Sequence, residues 1–233
     1  AGTEAEFARH DVRGKLVLIK ELAEPETAKR ADNCGAVGEI FINDYYAHEG
    51  IVSVVWGTPK PETTSMLPAT PCISITEQDG ASLQQLMSKG TVTARLLTQS
   101  WRGWKKIPVM TADLHGKVER DRFTLLAGHI DSWHYGAMDN GSANALMLEV
   151  ARIMSKHRQE LRRGLRLAFW SGHSHGRYAG SAWYADNFWL DLEKNCVAHI
   201  YTDSAGAKGA TVLTETYVLP ETRDLASSVV KRV

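Results

Sequence analysis

The chain has 233 residues, 43% hydrophobic and 23% charged, in the range of an ordinary globular protein of one large or two small domains. Its 27 basic and 27 acidic residues cancel, which removes the electrostatic footprint expected of a nucleic-acid or anionic-membrane binder. No apolar run is long enough for a membrane span, and the three cysteines are too few and too scattered for a disulfide scaffold or a thiolate zinc site, although one pair could form.

In chain order, DVRGKLVLIK (11–20) reads as a turn and a strand. Residues 24–33 read as a helix with Pro25 in its first turn and Gly35 as its stop. VGEIFI (37–42), IVSVVW (51–56), CISIT (72–76) and TVTARLLT (91–98) read as strands, and 77–88 as a helix. This first stretch carries no cluster of His, Cys and carboxylates. A second stretch follows the aromatic residues Trp101 and Trp104. PVMTADLHG (108–116), RFTLLAGH (122–129), GLRLAFW (164–170) and VAHIYT (197–202) read as strands. Segments 140–156, 177–195 and 221–233 read as helices. Strands alternating with helices predict an α/β fold with a doubly wound, mostly parallel sheet, beside a smaller β-rich module.

Three of those strands end in groups that bind metals. The strand at 122–129 ends in His129, with Asp131 just beyond it and Asp139 on the next loop. The strand at 164–170 runs into His173-Ser174-His175, and that at 197–202 into Asp203. Parallel strands place these ends on one sheet edge, where ligands bind. Imidazole and carboxylate suit zinc. Asp131 is spaced to receive the second N–H of His129. Arg177 and Tyr178 follow the His-Ser-His turn and could hold a substrate carboxylate or an oxyanion. His134, between the ligands, could touch substrate. No G-x-S-x-G elbow follows a strand, which argues against a serine hydrolase.

GHIDSWHYGAMDNGSANALMLEVAR, RGLRLAFWSG with a following G-S, and HIYTDSAG together resemble the co-catalytic zinc aminopeptidase and glutamate-carboxypeptidase-like family. Upstream, DVRGKLVLIK, ETAKRADNCGAVGEIFIN and LPATPCISITEQDGASLQQLM resemble the protease-associated domain. The resemblances imply a protease-associated domain at 1–103, a zinc-peptidase-like domain at 104–233, and hydrolysis of a terminal peptide bond by a metal-activated water with one or two zinc ions. They imply His129 on the first zinc, Asp139 bridging two, Asp203 completing the first shell and Asp131 orienting His129. The family carries a Glu-Glu pair where this chain has His173-Ser174-His175. On the simplest alignment His173 takes the place of the general base and Ser174 that of the ligand to the second zinc, and a one-residue insertion at Tyr178-Ala179-Gly180 leaves room for His175 to be that ligand instead. The family's last zinc ligand is a distant His with no counterpart before Val233, so the chain reads as a fragment, by itself inactive. Ala1-Gly2-Thr3 likewise reads as a clipped start. The expected partner is a peptide substrate, the compartment implied is outside the cytoplasm, and a homo-oligomer stays open. The replaced Glu-Glu pair also motivates a second reading, a relative that has lost catalysis and binds a protein through its first hundred residues.

Overall fold

A computed structural model describes residues 2–101, 103–211 and 216–232. It contains two separate sheets. The first comprises β1 (Leu16–Ile19), β2 (Gly38–Ile42) and β3 (Cys72–Ile75), all parallel, in the order β1-β2-β3. Parallel neighbours need crossovers, and α2 (Pro25–Asn33) supplies the first of them. Ala28 and Ala31 of α2 are fully enclosed, and Ile19, Ala23, Ala28 and Phe41 form the core. Every residue of the central strand β2 is buried, as expected of a strand covered on both faces. A short helix α1 (Glu4–Arg9), closed by a Thr3–Glu6 capping box, precedes this unit, and α3 (Glu77–Met87), N-capped by Thr76, follows it.

The second sheet comprises β4 (Met110–Leu114), β5 (Glu119–His129), β6 (Arg163–Trp170) and β7 (Cys196–Tyr201), in the order β4-β6-β5-β7. The pairs β5–β6 and β5–β7 are parallel, whereas β4 runs antiparallel along β6. The alternation of strand side chains sends Phe123, Leu125, Ala127, Ala168 and Trp170 to one face, where they meet Tyr184 of α5 (Ala179–Asn187). Leu126, Leu165 and Leu167 go to the other face and meet Met147 of α4 (Ala143–Lys156). Helices therefore cover both faces, and the sheet is doubly wound and mostly parallel.

Some elements differ from the reading of the sequence. Residues 51–56 are extended but form no strand. They hold only one end to the first unit, through Ile51 N–H to Ala23 O at 3.2 Å, and run on toward the second unit. Residues 91–98 also lack a ladder partner, and Leu97 is largely exposed. β-branched composition favours a strand only where another backbone is free to pair. The helix expected over 177–195 is two helices, α5 and α6 (Trp189–Asn195), broken at Phe188. It begins late because Arg177 and Tyr178 have left-handed φ values of 50° and 67°. The helix expected from Asn140 begins at Ala143, after an irregular turn in which Asp139 and Asn140 depart from helical angles and their shared peptide is cis. The last helix is α7 (Arg223–Val230). Most of ATVLTE (210–215) lies outside the described residues. The cysteines are free.

Candidate metal centre

The parallel strands β5, β6 and β7 bring three loops to one sheet edge, with His129 as the last residue of β5. Its ring is 1% exposed, so both nitrogens must find partners inside the protein. Nδ1 reaches the main-chain oxygen of Asp131 at 2.7 Å, which leaves Nε2 as the inward-facing acceptor. Around Nε2 stand Asp139 Oδ1 at 2.8 Å and Asp203 Oδ2 at 3.5 Å. Asp139 Oδ1 is fully enclosed and has no hydrogen bond, since with the ring proton on Nδ1 the Nε2 that faces it has none to give. An orphaned carboxylate oxygen against an imidazole nitrogen is the donor set of a divalent cation. His129, His173 and Asp203 also offer ligand atoms that all lie within 4.8 Å of one another. Asp139 is outside that trio.

Two expected residues are placed differently from the simplest reading. The Asp131 carboxylate lies 3.8 Å from His129 Nδ1, and its oxygens accept instead from the main-chain N–H groups of His173 and Ser174, each at 3.0 Å. Asp131 thus orients His129 through its own carbonyl and pins the His-Ser-His turn with its side chain. His175 turns away from the centre. Its Nε2 meets Glu49 Oε2 at 2.9 Å and its ring lies 4.3 Å from Trp133. The carboxylate of Glu49, from the first unit, captures it. His134 is held in the same place, with Nδ1 3.5 Å from the other oxygen of Glu49. Arg177 is buried with its guanidinium over Trp56, and Tyr178 stacks on that same indole and meets His173 edge-on.

His173 stacks on His129 with ring centres 4.3 Å apart and planes within 9°. Burial and the neighbouring His129 pull its pKa below the ordinary value, despite the nearby carboxylates. Tyr201 Oη lies 3.0 Å from His173 Nδ1 and 3.5 Å from Asp203 Oδ2. Tyr201 was not among the residues singled out from sequence. Its place as the last residue of β7, two before Asp203, is the signal that finds it, since in an extended chain i and i+2 share a face. Asn140 was read only as a helix start. Buried, it donates to Thr202 O at 3.1 Å and accepts from Ser204 N–H at 3.0 Å, tying the Asp139 loop to the Asp203 loop. Asn144 donates to His129 O at 2.9 Å.

Residues 110–233 match the sequence profile of peptidase family M28. The chain belongs to this family. The M28 chain is 32% identical over 122 residues to a probable glutamate carboxypeptidase of Zea mays, covering 51% of this chain and 17% of that one. It is 26% identical over 195 residues to carboxypeptidase Q of Bos taurus, covering 75% and 39%. Its fold is similar to that of a zinc aminopeptidase from Bacillus subtilis, with a TM-score of 0.59 at 19% identity, over 88% of this chain and 47% of that one. The M28 chain thus spans less than half the length of each of these relatives.

Proposed function

We propose that this protein is a zinc-dependent exopeptidase that hydrolyses a peptide bond next to a chain terminus. One observation carries the reading. The enclosed Asp139 Oδ1, without a hydrogen bond, faces His129 Nε2 at 2.8 Å, at the sheet edge where Asp203 also arrives. Membership of family M28 supports it, as do the relatives named carboxypeptidases and the similar fold named a zinc aminopeptidase. In this reading His129, Asp139 and Asp203 hold zinc, which supplies Lewis acidity toward the scissile carbonyl and lowers the pKa of water toward neutrality.

The remaining groups divide the work of orientation and proton transfer. Parallel stacked rings send their in-plane lone pairs along parallel lines rather than toward one point, so His129 and His173 take different tasks. Tyr201 Oη sits against both ring nitrogens of His173, 3.0 Å from Nδ1 and 3.3 Å from Nε2, and 3.5 Å from Asp203 Oδ2; with the ring proton on Nδ1, Nε2 is the nitrogen that accepts. The lowered pKa of His173 holds it neutral. It takes a proton from the attacking water and returns it to the leaving amine, the work of the family's first Glu. Asp131 sets the position of His173 through the turn. His175 leaves the ligand set, and with His134 and Glu49 it lines the approach to the centre. Residues 1–103 act as a protease-associated module, and the protein works outside the cytoplasm.

The test is hydrolysis of short peptides by the zinc-loaded full-length protein, with separate assays for release from the amino and carboxyl ends. Chelator-sensitive release from one end is expected, and its absence at saturating zinc argues for the second reading. There the protein binds a partner without catalysis, and the Glu-Glu pair replaced at His173-Ser174 is what favours it.

A further inference from the structure

Among the described residues, Arg177 is the only lysine or arginine that is buried, with 7% of its surface exposed. Its Nε is fully enclosed and makes no hydrogen bond, and no carboxylate of the described residues pairs with its guanidinium. Arg166 shows what this fold ordinarily does with a partly buried arginine. It binds Asp113 at 2.7 Å and also Asp191. A buried cation without an anion is costly, and Arg177 has only the face of Trp56, 3.5 Å from the guanidinium carbon to the ring centre.

The chain holds Arg177 in this state from both sides. Its N–H donates to Ser174 O at 3.2 Å, its carbonyl accepts from Gly57 N–H at 2.7 Å, and its φ of 50° is strained for a residue with a Cβ. A latch between the two units would need only an apolar stem on Trp56, which Met or Leu supplies without the charge. The charge is also close to the chemistry. Trp56 stacks on Tyr178 at 5.3 Å, and Tyr178 packs edge-on against His173 at 4.7 Å.

We propose that Arg177, backed by Trp56 and flanked by Tyr178, is the anchoring subsite for a carboxylate of the peptide substrate. The planar fork of a guanidinium donates to a carboxylate bidentately, and an indole against its face uses none of its N–H groups. The proposal rests on the exopeptidase reading for the identity of the ligand as a peptide. It makes residues 51–58 of the first unit part of the substrate site.

Calorimetric titration of the full chain in excess chelator reads this subsite without turnover and without carboxylate binding to metal. The probes are alanyl-alanine, alanyl-alanine amide, and alanyl-glutamic acid α-amide, whose only carboxylate is on the side chain. At least one acid is expected to bind about tenfold or more tightly than alanyl-alanine amide, the effect of one charge-assisted pair. Which acid does so identifies the α- or side-chain carboxylate as the anchored group. Arg177→Met should erase the preference with an unchanged circular dichroism spectrum. Equal binding of acids and amide, no binding of any probe, or a preference that survives Arg177→Met overturns the proposal. If Arg177→Met does not fold, Arg177→Lys keeps charge and stem but loses the fork, and an acid-to-amide ratio equal to that of the wild type overturns it. Acid preference without peptide hydrolysis would reject the exopeptidase reading and keep the subsite. Hydrolysis without acid preference would do the reverse.

Discussion

His129 shows how little freedom an enclosed imidazole has: one nitrogen is committed to Asp131 O, and the other faces carboxylates. His129→Ala should abolish zinc binding, read as metal content after gel filtration, and a variant that keeps its zinc would show that the ligands lie elsewhere. His173→Ala separates the two tasks proposed for the stacked rings. Zinc is expected to stay while hydrolysis is lost, and loss of zinc would make His173 a ligand. Asp131→Ala removes two charge-assisted hydrogen bonds to the turn that carries His173. It should lower unfolding stability by about 2 kcal/mol in urea, the ordinary cost of removing a partly buried charged partner, and weaken zinc binding about 10- to 100-fold through the displaced turn. At this scale the meeting of His129 and Asp203 was legible in the sequence, because each stands at the end of a parallel strand, and Asp139 followed from the loop that leaves His129. The direction taken by His175 was not. It depends on Glu49, 126 residues away, which no local pattern connects to it.

The turn between β6 and α5 is the element that the site tolerates least. Gly180 N–H bonds Ser171 O at 3.1 Å, and a Cβ on Gly180 would lie 2.2 Å from that same oxygen. Gly180→Ala therefore sets helix propensity, which favours alanine by about 1 kcal/mol, against a backbone clash that cannot be relieved by rotating a side chain. The clash should win, with a net loss of about 1–3 kcal/mol as for other overpacked sites, visible as a lower Tm together with weaker zinc binding. A higher Tm would mean that α5 can slide away from β6 without cost. The same contrast explains which elements could be read in advance. Strands β1, β2, β3, β5, β6 and β7 coincide with apolar runs bounded by turn residues, and packing agrees with their local preference. Residues 51–56 have equal strand propensity but serve as the bridge between units. There Gly57 binds Arg177 and Thr58 Oγ1 donates to Asp186 at 3.0 Å. The break at Phe188 was hidden because neither glycine nor proline marks it: Phe188 still donates its N–H to Tyr184 O at 2.9 Å and stacks on that ring as an ordinary i,i+4 neighbour, and only its backbone φ of −116° leaves the helix.

The molecule as a whole carries no net charge at pH 7, so near neutrality its response to pH is read best in individual buried groups. Glu39 is the clearest of these, fully enclosed on the central strand of the first sheet. Its Oε2 accepts from Thr70 Oγ1 at 3.0 Å and from Cys72 Sγ at 2.8 Å, while Oε1 is buried without a partner. Burial pushes its pKa above the ordinary 4.5. The two hydrogen bonds offset this only in part, and Asp32 adds to the rise. The folded chain therefore holds this proton at pH values where the unfolded chain has released it. The resulting stability is fully present below the unfolded value, near pH 4.5, and is lost as pH rises through the folded one. Glu39→Gln stays neutral at every pH and retains an acceptor for Thr70 and Cys72. Measured by urea unfolding, the variant's stability relative to the wild type should rise as pH increases above about 4.5. If the two units unfold as one, the shift appears equally in probes of either half, because residues 51–58 and Glu49 join them. A difference that stays constant over this range would mean that Glu39 ionises alike in the folded and unfolded chains, and that Oε1 finds a partner the fold does not show.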